Sequence, residues 1–98
     1  MTRAYGIVLI TEIIDEDTIA PVNDWLHSKY PGTMFNDVTD GFGGYKCPSM
    51  RCFATTVNYL LEDEFIAFIR CVDWMSPEGV LLIIKSEELP PKVTTIEP

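Results

Sequence analysis

Residues 5–14 (Tyr-Gly-Ile-Val-Leu-Ile-Thr-Glu-Ile-Ile) constrain the fold more than any other part of the chain. The run is rich in β-branched side chains, which favour extended backbone. On a strand, Ile7, Leu9, Thr11 and Ile13 point one way, and Val8, Ile10, Glu12 and Ile14 point the other. Both faces are then largely apolar, which predicts a central strand covered on each side rather than a margin wetted on one.

The remaining segments fall into place around this strand. Asp15, Glu16, Asp17 and Thr18 supply acidic and capping groups ahead of Ile19, Val22, Leu26 and Tyr30, whose spacing of three and four predicts an amphipathic helix. Pro21 suits its first turn, and Tyr30-Pro31-Gly32 ends it. Residues 33–40 read as a weaker strand at a sheet edge, with Asp37 and Asp40 discouraging pairing with other chains. The glycines of residues 41–45 predict a hairpin loop presenting Phe42 and Tyr45, and residues 51–60 alternate as a half-polar strand.

Glu62, Asp63 and Glu64 then precede Phe65, Ile66, Phe68 and Ile69, with Arg70 further on, the charge polarity of a second helix. Ser76-Pro77-Glu78-Gly79 breaks it, and residues 80–84 (Val-Leu-Leu-Ile-Ile) are the other candidate for a buried strand. Residues 86–98 are richer in Glu and Pro; within them residues 92–96 suit a short added edge strand, while Pro90-Pro91 and Pro98 equally suit a mobile end.

Ninety-eight residues amount to one domain, and a 47% apolar content sets the chain apart from disordered sequences. The order strand, helix, strand, strand, helix, strand is the split pattern of a ferredoxin-like α+β sandwich: an antiparallel sheet, both helices on one face, the first and third strands central and the second at an edge. Such a sandwich leaves Val8, Ile10 and alternate members of residues 80–84 on the face without helices. An apolar patch of that kind predicts face-to-face contact with a second copy, with a target protein, or with the chain's own C-terminal segment.

Fifteen acidic residues against seven basic ones give a formal charge of −8. That field opposes direct binding to a phosphate backbone and favours a protein partner with a basic surface. An odd number of cysteines, three, fits reduced thiols in a cytoplasm better than a disulfide framework. The N-terminus shows no signal-peptide pattern, and the apolar runs are too short to span a bilayer.

Catalytic candidates are sparse. His27 with Asp24 three residues away makes a weak acid–base pair, since helical spacing alone brings such residues together. Cys47, Cys52 and Cys71 with His27 have the ligand types of a tetrahedral metal site without the close pairs of a structural zinc knuckle. The glycine segment lacks the Lys-Ser/Thr ending of a phosphate loop. These patterns lead to the expectation of no catalytic set, no metal and no cofactor.

The chain is therefore expected to be a small acidic, non-enzymatic protein-binding domain that inhibits or neutralises a macromolecular partner. By analogy of class alone, since no motif identifies a family, a phage-encoded blocker of a host nucleic-acid-binding defence complex, of the anti-CRISPR type, or an immunity protein would have this kind of size and charge. The expected contact residues are Asp15, Glu16, Asp17, Asp37, Asp40, Phe42, Tyr45, Glu62, Asp63 and Glu64. The alternative is a dimeric ferredoxin-like enzyme with a small-molecule pocket between sheet and helices.

Overall fold

A computed structural model describes residues 4–38 and 50–96. The chain forms strand β1 (Ala4–Glu12), a 3-10 helix (Ile13–Thr18), helix α1 (Ile19–Lys29), strands β2 (Asn36–Asp37) and β3 (Met50–Asn58), and helix α2 (Glu62–Cys71). A 3-10 turn (Pro77–Gly79), β4 (Leu81–Ser86) and β5 (Lys92–Thr95) complete it. The result is an α+β fold with one antiparallel sheet in the order β2-β3-β1-β4-β5. β1 occupies the middle of the sheet, as its apolar run requires.

Register fixes which side chains meet. Leu9 lies between Phe53 and Leu82, and Ile7 between Thr55 and Ile84. These positions share one face, and Val22 and Leu26 of α1 with Phe65 and Ile69 of α2 pack against that face to make the core. Each fully buried Leu, Ile or Phe there contributes about 1.5–3 kcal/mol. Trp25 of α1 stacks on Phe68 of α2 with ring centroids 4.4 Å apart, and Lys29 pairs with Glu64 at 3.0 Å, so the helices are tied to each other as well as to the sheet.

The opposite face does not match the expectation of full cover. Val8 has Ala54 and Ile83 as cross-strand partners, Ile10 has Cys52 and Leu81, and Ile83 meets Val93. Val8, Ile10, Ala54, Leu81 and Ile83 are half-buried, Val93 is exposed, and none belongs to the core cluster. The helices shield one side of the central strand only.

Three other expectations are corrected. The opening strand stops at Glu12, and Ile13 and Ile14 turn away from the sheet into the 3-10 helix. Asp15, Glu16 and Asp17 consequently lie in that 3-10 helix, not in the first turn of α1. The second strand is confined to Asn36–Asp37 among the described residues, continued by a hydrogen bond from the Val38 N–H to the Cys52 carbonyl. The added edge strand expected within residues 92–96 is present as β5, which pairs with β4 while Ile96 enters the core. A C-terminal segment spent on the sheet edge in this way does not lie across the open face.

Candidate functional site

Asp15 organises the end of the sheet where β1 finishes. Its side chain is fully buried. One carboxylate oxygen accepts the Met75 N–H at 2.8 Å and the Thr18 hydroxyl at 3.2 Å, and the other accepts the Ser76 N–H at 2.9 Å. The 3-10 helix wraps round this carboxylate and is thereby fastened to the loop after α2. A buried charge is tolerated because hydrogen bonds replace its water. Asp15 is therefore a structural clamp, which corrects the expectation that it meets a partner.

The clamp gathers side chains that are distant in sequence. Ile13 (44% exposed) and Ile14 (54%) project beside the loop that carries Met75 (68%). Glu12 leans over Gly79, where an added Cβ would come within 2.4 Å of the Glu12 side chain. Glu16 pairs with Arg51 at 2.9 Å, while Asp17, Asp73 and Glu78 are exposed nearby along the chain. Exposed apolar and acidic side chains from three segments thus share this end of the sheet.

The other acidic group lies elsewhere. Because β3 runs antiparallel to β1, α2 starts at the opposite end of the sheet from the 3-10 helix, about 27 Å away along the nine residues of β1. Glu62, Asp63 and Glu64 form the first turn of α2, with Glu62 3.8 Å from Lys92 and Glu64 joined to Lys29. Asp37 sits on the edge strand opposite Phe53. These carboxylates do not fuse into one surface. Asp40, Phe42, Tyr45 and Cys47 lie outside the described residues.

His27 is exposed, and its Nδ1 accepts the Gly32 N–H at 3.4 Å, a contact that helps close α1. Cys52 is buried on the helix-free side of β3, and Cys71 is exposed at the end of α2 on the other side of the sheet, so one ion cannot reach both. Burial, and then the nearby Asp37 carboxylate, push the Cys52 thiol above the ordinary thiol range. A surface hollow of about 560 Å³ follows the β2–β3 edge past Met34, Asn36, Ala54 and Thr56, and one of about 480 Å³ lies at the start of α2 beside Leu61 and Lys92. His27 lines neither. Among the described residues no helix is long and apolar enough to cross a membrane.

No family model matches this chain, and neither does any curated protein or solved structure.

Sequence reasoning missed Ile13, Ile14 and Met75. Ile13 and Ile14 prolong the apolar run of β1 and read as more strand, and Met75 stands alone between two breaks. The available signal was Asp15-Glu16-Asp17 directly after Ile14, since an acidic triplet ends a strand more readily than it continues one.

Proposed function

We propose that this chain is a small acidic protein-binding domain that inhibits or neutralises a macromolecular partner with a basic surface, in the manner of a phage-encoded blocker of a nucleic-acid-binding defence complex or an immunity protein. The observation that carries this reading is the apex: Ile13, Ile14 and Met75 are each exposed on segments held at one end of the sheet, the end at which Glu16, Asp17, Asp73 and Glu78 also lie. Protein interfaces draw most of their affinity from a few apolar or aromatic anchors at the centre, while rim charges set approach rate and partner choice. An acidic rim selects a basic rim opposite. Of the basic side chains at this end, Arg51 is engaged by Glu16 and Arg70 donates to the Thr95 carbonyl.

The proposed scaffold is a ferredoxin-like sandwich extended at one edge by β5. Support comes from the placement of β1 between β3 and β4, of β2 at the edge beside β3, and of both helices on one face. In that frame the apex is a connection at the end of the sheet, where function commonly resides because a rigid layer positions it.

Affinity capture tests the reading with wild-type protein, Ile14→Lys and Met75→Lys as parallel baits. The expected result is a partner that wild type retains, that both variants lose by about 30-fold or more in affinity, and that rising salt releases. A partner held equally by all three baits would reject the apex as the contact. Failure to recover any specific partner would reject the function.

A further inference from the structure

We infer that the helix-free face of the sheet is covered by a second copy of this chain, packed face to face about a two-fold axis that crosses the strands at the level of Leu9. Three observations lead there. The face is apolar at its centre, through Val8, Ile10, Leu81, Ile83 and Val93, and the C-terminal segment is committed to the edge as β5 rather than laid across it. Four adjacent strands, spaced at about 4.8 Å and used over about six residues, present roughly 20 Å by 20 Å of sheet, or on the order of 1,000 Å² in total across two copies once side-chain relief is counted. That is the lower bound for a specific interface.

Charge selects a second copy and sets its direction. The chain carries a net charge of −8, yet among the described strand residues only Glu12 and Lys85 have charged side chains at positions on this face, and the Lys85 ammonium also donates to the Ser86 and Leu89 carbonyls of its own chain. Two strongly acidic copies can therefore meet here without confronting their carboxylates. Glu12 stands at one end of β1, and Lys85 lies opposite Gly6 near the other end. A two-fold along the strands would set Glu12 against Glu12 of its partner.

A two-fold across the strands at Leu9 does the reverse. It lays the Val8–Ile83 row over the partner's Ile10–Leu81 row and brings Glu12 alongside Lys85 of the other copy, with the sheets aligned to within about 30° as in other sandwiches. The two apices then point in opposite directions from one compact body. Such a dimer offers both apices to partners at once, which raises avidity wherever two binding sites lie within reach.

Sedimentation equilibrium over a concentration series reaching the millimolar range tests this, with circular dichroism confirming that each variant folds. Wild type is expected at twice the chain mass. Ile83→Glu, which places a carboxylate twice in one dry contact, should raise the dimer Kd by about a hundredfold or more. Val93→Glu, at a position 64% exposed in the single chain, should act in the same direction where Ile83→Glu disturbs folding. Glu12→Lys alone should weaken association by about tenfold, and Glu12→Lys with Lys85→Glu should restore it. A wild-type protein that stays monomeric throughout, or a dimer indifferent to both face substitutions, overturns the inference; a double exchange that fails to restore association overturns the axis.

Discussion

Replacing Asp15 by alanine should loosen the apex and destabilise the whole domain. The side chain is inaccessible to solvent and holds two backbone N–H groups, those of Met75 and Ser76, at 2.8 and 2.9 Å, besides the Thr18 hydroxyl. A hydrogen bond to a charged acceptor contributes about 1.5–3 kcal/mol, so the two backbone bonds set an upper range of about 3–6 kcal/mol. Two effects reduce this. Water can reach the exposed Met75 segment and satisfy part of what is lost, and removing the carboxylate also removes its desolvation cost. A net loss of about 3 kcal/mol is expected, a large share of the roughly 5–15 kcal/mol that holds a domain of this size together.

For a chain of this length that loss corresponds to a fall in Tm of about 12–24 °C. Asp15→Asn keeps one carbonyl acceptor and should lose roughly half as much. Urea denaturation followed by circular dichroism measures the energies, and amide hydrogen exchange should show Met75 and Ser76 opening faster in the alanine variant while the Ile7 and Leu9 amides keep their order of protection. An alanine variant within about 0.5 kcal/mol of wild type would refute the clamp, because a carboxylate that truly replaces water for two backbone donors cannot be lost so cheaply.

Two further outcomes follow from the core and from the buried thiol. Phe65→Ala removes a fully buried ring between the helices and the sheet and should cost about 3–5 kcal/mol, readable as a lowered urea midpoint; a loss below about 1 kcal/mol would mean that Phe65 does not fill the core. In a Cys47→Ser background, an added disulfide reagent should label exposed Cys71 well before buried Cys52. Because the folded Cys52 thiol titrates above its unfolded value, its contribution to stability is complete below the ordinary thiol range near about pH 8.5 and is lost as pH rises through the folded value. Thermal scans in alkaline buffers should accordingly fall more steeply for wild type than for Cys52→Ala, and parallel slopes would reject the burial of the thiol.

Patterning alone was enough to locate most elements and to rank them. Tyr5, Ile7 and Leu9 alternate with Val8 and Ile10, so a strand apolar on both faces had to lie inside the sheet, and β1 does. Val22 and Leu26, like Phe65 and Ile69, recur at helical spacing, so α1 and α2 and the faces they bury were readable before any contact was known. Such signals are local, because side-chain direction on a strand or helix depends only on position along it. The short β5 was readable in the same way, through Lys92, Val93, Thr94 and Thr95, but not its choice of β4 as neighbour.

What only the tertiary structure decided concerns groups whose partners lie far along the chain. Asp15 looks like any acidic residue ahead of a helix, and its burial depends on two N–H groups sixty residues away that no local pattern reveals. Antiparallel pairing of β1 with β3 sends the two acidic triplets to opposite ends of the sheet, although in sequence both simply precede helices. Ile13 and Ile14 continue the hydrophobic run yet emerge at the surface, because the buried carboxylate that follows them draws the backbone off the sheet. Propensity acts over one or two turns of chain, whereas the balance between burying a charge and feeding it hydrogen bonds is settled only when distant segments meet.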